Sequence, residues 1–288
     1  MAQHQAEQEQ SPENSTHNLS EGEDVGAKLL LQHRYLSELM GGILPPLLEP
    51  SWGSRVLEIG WCVGGLAFEM AFRYPSLHIT AIDRNTSVAE QTQALVRGLG
   101  NITIFVQDIH RLDDLEFASA SFDLIQLRFL AGNVTREQLT PLMQSLARIS
   151  RPRGLLVWTE AEWPITTSPA CQHLCAMVQQ ALQAAGDAFA PGNSMWVTAH
   201  MDRWLSDAGY RIAQSKTYAI DISTGSNGHD AFVRQVWISG DQLRSYLLEK
   251  RITTAAEFED VFVVMQHEIQ EEKFCGMLYL RTLVGVKL

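Results

Sequence analysis

Several things are scarce in this 288-residue chain, and each scarcity narrows what it can be. No stretch approaches the ~18 consecutive apolar residues of a membrane span. The N-terminus lacks the basic segment and apolar stretch that mark a signal peptide. Basic residues are outnumbered, 22 Lys and Arg against 33 Asp and Glu, for a formal net charge of −11. That balance argues against general binding to nucleic-acid phosphates or an anionic membrane, although a local basic patch stays compatible with it. Cysteine is rare as well. Cys62, Cys171, Cys175 and Cys275 are too few and scattered for a disulfide framework, so a reduced, cytoplasmic protein is expected. Cys171 and Cys175, one helical turn apart, fit two small core residues better than a paired metal ligand or redox couple. No histidine cluster has metal-ligand spacing, and no metal is expected.

What is present is a 45% hydrophobic fraction, enough for a sizeable core in one large α/β domain. Residues 1–24 are rich in Gln, Glu, Ser and Asn and cannot bury enough surface to offset their ordering entropy, so a disordered tail is expected. Residues 25–50 read as an N-terminal helical cover, with Leu29, Leu30, Leu31, Tyr35 and Leu36 leading to a stop at Met40-Gly-Gly-Ile-Leu-Pro-Pro. Over 51–165 short apolar runs alternate with helical segments. Strands are expected at 56–59, 77–82, 102–106, 122–127 and 155–158, the last entered by a turn at Arg151–Gly154. Leu66, Ala67, Met70 and Ala71 form the stripe of one intervening helix. Ser87-Val-Ala-Glu90 and Thr135-Arg-Glu-Gln138 read as capping boxes for two more. This alternation predicts a parallel, doubly wound sheet. Residues 166–288 read differently: helices at 169–186 and 198–208, a strand at 210–221, helices to about Gln270, and a last strand at 277–284. These are taken as final antiparallel strands of the same sheet with helical cap insertions.

In such a sheet, ligands bind beyond the carboxyl ends of the strands, where the strand order reverses. Polar residues gather at those positions here. Glycines after the first strand allow close backbone approach and expose helix N-terminal N–H groups. Asp83, 19 residues beyond Gly64, ends the second strand where a carboxylate can accept from two ribose hydroxyls. Asp108 ends the third, where it can accept from an exocyclic amine, with Ile109 against a base face. Each acid alone reads more readily as a helix cap; three such features at successive strand ends favour the ligand-binding reading. The glycines at 60, 64 and 65 do not make the G-x-G-x-x-G of nicotinamide enzymes.

The segments Val56-Leu-Glu-Ile-Gly-Trp-Cys-Val-Gly-Gly65, Thr80-Ala-Ile-Asp-Arg84, Val106-Gln-Asp-Ile-His110, Ser121-Phe-Asp-Leu-Ile125 and Ile149-Ser-Arg-Pro-Arg-Gly-Leu-Leu156 resemble the class I S-adenosylmethionine (SAM)-dependent methyltransferases, especially the group of ubiquinone/menaquinone C-methyltransferase-like enzymes. The resemblance implies an α/β, doubly wound, mostly parallel seven-stranded Rossmann-like sheet with helical cap insertions. It implies S-adenosyl-L-methionine as cofactor and S-adenosyl-L-homocysteine as its product. Glu58, Gly60, Cys62 and Gly64 would then face the methionine moiety. Asp83 would hold the ribose, Asp108 and Ile109 the adenine, and Gln126, Arg128 and Phe129 the floor beside the sulfonium, with Arg84 a further cofactor-binding residue. One departure stands out, because Gly60-Trp-Cys-Val-Gly64 places Cys62 at the middle glycine of the usual Gly-x-Gly-x-Gly. If that position needs positive φ, a Cβ costs on the order of 1 kcal/mol. With negative φ it costs nothing, and a helix N-terminus could also lower the thiol's pKa.

The acceptor side carries no catalytic signature. Methyl transfer needs chiefly in-line positioning, plus a base when the nucleophile carries a proton. Candidates are His33 and Tyr35 on the N-terminal helix, His110, Glu160 and Glu162 after the fifth strand, and His200, which also reads as a half-buried helix residue between Trp196 and Trp204. Aromatic and Met residues of the insertions, from Trp163 to Met265, are mostly core, with a subset suited to an apolar pocket. The expected activity is methyl transfer to a small lipophilic or aromatic metabolite of secondary metabolism. The alternative, raised by Cys62, is a methyltransferase-fold protein that runs a cyclisation or rearrangement, or only binds. A small-molecule substrate is the expected partner, and the N-terminal helix or cap offers a route to homo-oligomers.

Overall fold

The computed structural model describes residues 33–42, 54–60, 65–83, 86–131, 134–189 and 192–288. The tail expected at 1–24, the loop residues Cys62 and Gly64, Arg84, and the side chain of His110 lie outside this set. Residues 33–39 form helix α1, which ends in a turn carrying Gly41 at φ +84° and Gly42 at φ +134°.

Next come β1 (Arg55–Gly60), α2 (Gly65–Arg73), β2 (His78–Asp83), α3 (Thr86–Leu95) and β3 (Ile102–Val106). A 3-10 turn at Ile109–Leu115 leads to β4 (Phe122–Arg128), α4 (Arg136–Ile149) and β5 (Ser150–Ala161). The remainder is β6 (Ile165–Thr166), α5 (Pro169–Ala185), α6 (Val197–Asp207), β7 (Tyr210–Asp221), α7 (His229–Glu249), α8 (Ala255–Glu268) and β8 (Gly276–Lys287). Strands β1 to β5 are parallel, in the spatial order β3-β2-β1-β4-β5. The twelve-residue β8 pairs antiparallel with β5 along one edge and with β7 along the other. The sheet has eight strands rather than the seven expected, because the two-residue β6 prolongs the β5 edge against Met277 and Gly276.

Alternation along the strands sorts the core into two faces. Leu57, Ile59, Ile125, Leu127 and Trp158 pack under α4 and α6, while Val56, Ala81, Leu124 and Val157 pack under α2 and α3. The Thr135 hydroxyl accepts from Gln138 N, and the Gln138 side chain returns to Thr135 N, so the expected capping box starts α4. The box expected at Ser87 does not start α3: that helix begins at Thr86, with Ser87 already in its first turn. Arg151–Gly154, expected as a turn, belongs to β5, where a register shift against Phe122 and Leu124 absorbs Arg153 at φ +63°. Helices α5, α7 and α8 form a third cluster with Met40 of the N-terminal segment and Ile220 and Leu280 of β7 and β8. Among the described residues no helix is long and apolar enough to cross a membrane.

Candidate active site

Period-two alternation sends Glu58 and Gly60 of β1, Asp83 of β2, and Gln126 and Arg128 of β4 to the α2 face, at the carboxyl ends of the strands. The registers Glu58↔Gln126 and Gly60↔Arg128 make them neighbours. A Cβ at Gly60 would overlap the Arg128 carbonyl oxygen, so only glycine lets the first strand leave the sheet here. Phe129 follows in the left-handed region at φ +53°, a conformation that costs a bulky residue on the order of 1 kcal/mol and turns the chain sharply at the strand end.

Glu58 is 4% exposed, and burial pushes its carboxyl up to about 8 against the pull of Arg128 and of the Ala67 N–H. Its Oε2 has no hydrogen-bond partner among the described residues. The equally buried Arg128 has its basicity lowered by desolvation, and its Nε is likewise without a partner there. The Arg128 Nη1 donates to His33 Nδ1 at 3.0 Å, and Nη2 points at the Met40 sulfur at 3.5 Å. A guanidinium only donates, so His33 Nδ1 accepts and its Nε2–H donates to Glu69 Oε2 at 3.0 Å. Burial, then the Arg128 charge, lowers the His33 pKa to about 3 and keeps the ring neutral. His33 thus ties α1 to α2 and to the end of β4. Gly65 permits this closeness, since a Cβ there would sit 2.6 Å from His33 Cβ.

Asp83 is buried at the end of β2 and Asp108 exposed just past β3. Ile109 opens the 3-10 turn, half-buried against the α4-side core. These and Glu58 place an acid at, or within two residues of, three successive strand ends. From this end of the sheet a cavity of about 440 Å³ runs under α5, α7 and α8. His33, Glu58, Arg128 and Glu160 reach it at the sheet, and Trp163, Met195, Phe232, Tyr246 and Met265 are the insertion aromatics and methionines that line it. Phe189 and Phe258 belong to the core instead, and Trp196 and Trp237 are exposed.

The remaining acceptor-side candidates are dispersed. Glu160 is buried and accepts from Trp158 Nε1 and Leu130 N, both at 2.7 Å; burial raises its carboxyl to about 7. Glu162 also lines the cavity, but its oxygens accept from Trp196 N, Thr198 N and Thr198 Oγ1 at 2.9, 3.0 and 2.6 Å, capping α6. Tyr35 packs its ring under Arg234 of α7 at 4.9 Å. His200 sits on α6 against Trp204, 5.5 Å between centroids, outside the cavity wall. Sequence reasoning missed Glu69, whose carboxylate meets His33 as well as Arg73 four residues on; it placed Phe129 beside the sulfonium but gave no sign of its strained backbone.

Parallel strands in the order 3-2-1-4-5, acids at their carboxyl ends and a glycine pressed against the neighbouring strand set the frame for comparison with known proteins. Residues 56–154 match the methyltransferase domain family. A curated methyltransferase of Strobilurus tenacellus is 27% identical over 167 residues, 56% of this chain and 57% of the relative, so the chain spans somewhat over half of that protein. A candidate methyltransferase from Bacillus halodurans superposes with a TM-score of 0.53 at 13% identity, covering 88% of this chain and 98% of that one. A Haemonchus contortus phosphoethanolamine N-methyltransferase, solved with phosphomonomethylethanolamine and S-adenosylhomocysteine, gives 0.52 at 12% identity, covering 91% and 57%. These structures share the methyltransferase domain's fold.

Proposed function

We propose that the chain is a class I SAM-dependent methyltransferase acting on a small apolar molecule. The observation that carries this reading is the set of acids, Glu58, Asp83 and Asp108, at successive parallel strand ends, with Glu58 also lining a mostly apolar cavity. The site fits the cofactor: the Glu58 oxygen without a partner suits the methionine ammonium, and Gly60 leaves no Cβ in the way. Asp83 would hold the ribose hydroxyls, Asp108 and Ile109 the adenine, and Gln126 and Arg128 the methionine end. Bound SAM supplies an electrophilic methyl group on a sulfonium. The chain's part is to orient the acceptor and exclude water, which supplies much of the rate for such a displacement. In this reading His33 is a positioning residue: both ring nitrogens are engaged, and the ring stays neutral down to pH values near 3. Glu160, near neutrality at the cavity wall, is the group suited to take a proton from the acceptor.

Calorimetry with SAM and S-adenosylhomocysteine tests the proposal. Both should bind the full chain, with Asp83→Ala weakening both by roughly a hundredfold or more, the worth of two hydrogen bonds to a charged group. No measurable binding of either would overturn it.

A further inference from the structure

The walls of the cavity differ in chemistry, and the difference selects a ligand class. On α5 the lining residues Cys171, Leu174, Cys175, Val178 and Leu182 recur at helical spacing and form one continuous apolar stripe. Beside its apolar lining residues Ala231, Phe232, Val236 and Leu243, α7 contributes Gln235, Ser239 and Gln242 at i, i+4 and i+7, so three uncharged polar side chains share one face there. The Ser239 hydroxyl donates to Gln235 O at 2.7 Å, which leaves its oxygen lone pairs available. The Gln235 Oε1 is buried without a partner among the described residues. A buried amide oxygen left unpaired costs about 1–3 kcal/mol, which a ligand hydrogen bond would relieve. A half-turn of the terminal torsion presents either the amide donor or its acceptor.

Charge is confined to the other end. The ionisable groups lining the cavity at the sheet are His33, Glu58, Arg128, Glu160 and Glu162, and none lies on the α5, α7 or α8 walls apart from the phenol of Tyr246 and the two thiols. A carboxylate, phosphate or ammonium at the cap end would be desolvated with no counter-charge, at a cost of several kcal/mol.

We propose that the cavity takes an uncharged apolar molecule bearing a hydroxyl or carbonyl, its hydrocarbon face on α5 and its oxygen edge on Gln235, Ser239 and Gln242. This rests on reading the cavity as the acceptor site and names the acceptor's class. Calorimetry of the full chain with 2-naphthol, 2-methylnaphthalene and 2-naphthoate, each with S-adenosylhomocysteine present, tests it. The expected result is 2-naphthol binding about tenfold tighter than either of the others, the share one hydrogen bond contributes. Gln235→Leu should remove that preference and leave 2-methylnaphthalene unchanged. If that variant does not fold, Gln242→Leu and Ser239→Ala should together reduce the preference instead. Tightest binding of 2-naphthoate, a preference untouched by the substitutions, or no binding of any naphthalene would each overturn the assignment. Retained binding of S-adenosylhomocysteine in those cases would leave the methyltransferase reading standing.

Discussion

Glu58 and His33 are both buried, and their pKa values are displaced in opposite directions, so they impose opposite pH dependences on folding. Folded Glu58 titrates at about 8 against 4.5 unfolded, so the folded state holds the extra proton between those values. Stability from this group is present at low pH and declines as pH rises from 4.5 to 8. Folded His33 titrates at about 3 against 6.5, so the unfolded state holds the proton and stability is lost as pH falls from 6.5 to 3. The two offset one another between 4.5 and 6.5, where Glu160, raised to about 7, adds to the decline from Glu58; above pH 7 Glu58 acts alone. Glu58→Gln should therefore raise the melting temperature of the ligand-free protein at pH 8, by about 2–4 °C for each kcal/mol recovered, while weakening SAM binding. Thermal melts from pH 5 to 9 check this: the variant's curve should be flatter than the parent's above pH 6.5. A steeper curve would contradict the burial of an uncompensated carboxyl.

Among the elements, α6 shows how a side chain in a cavity wall can serve the scaffold. Trp196 enters the helix at φ +59° with no side-chain cap of its own, and Glu162, 34 residues earlier, supplies the acceptors. Glu162→Ala should destabilise the fold by about 1–2 kcal/mol, as loss of a cap does, with SAM affinity unchanged. Chemical denaturation beside calorimetry reads both. An unchanged midpoint with transfer abolished would instead make Glu162 a catalytic group. Local signals explain why so much of the architecture was legible beforehand. β3 and β7 fall at the expected residues because apolar runs bounded by turn residues define them, and α4 starts where Thr135 and Gln138 said it would. The strand-end acids were legible for the same reason, since a strand's end fixes its last residue. The role of Glu162, the His33 bridge to Arg128 and Glu69, and the Gln235 stripe were not legible. The first two join residues tens of positions apart, which no residue-type pattern records, and the α7 stripe gains meaning only from the cavity that other elements build beside it. The short β6 was missed because two residues carry no period.

At the scale of the whole molecule, the cavity exists because the cap cluster does not collapse onto the sheet. Gly240 lets α7 approach α8 closely, since a Cβ there would meet the Phe262 ring at 2.5 Å, while Ala231 keeps the α7 wall thin beside Phe232. Ala231→Trp should fill the space under α7 and abolish 2-naphthol binding, with S-adenosylhomocysteine affinity held within about threefold, the effect of a change distant from that site. Calorimetry with both ligands tests this, and equal loss of both would show that the two sites are not separable. The position of β8 has a consequence for how the molecule is made. Strands β1 to β5 leave the ribosome in an order that lets them pair with little delay, yet β7 has no sheet neighbour until β8 slots between it and β5. During synthesis the β5 edge stands open while more than a hundred residues are added, a long-range closure of the kind that slows folding and exposes an edge to stray pairing. The helices that become the roof of the cavity are all made in that interval, so the pocket takes shape last, when the final described strand locks the sheet.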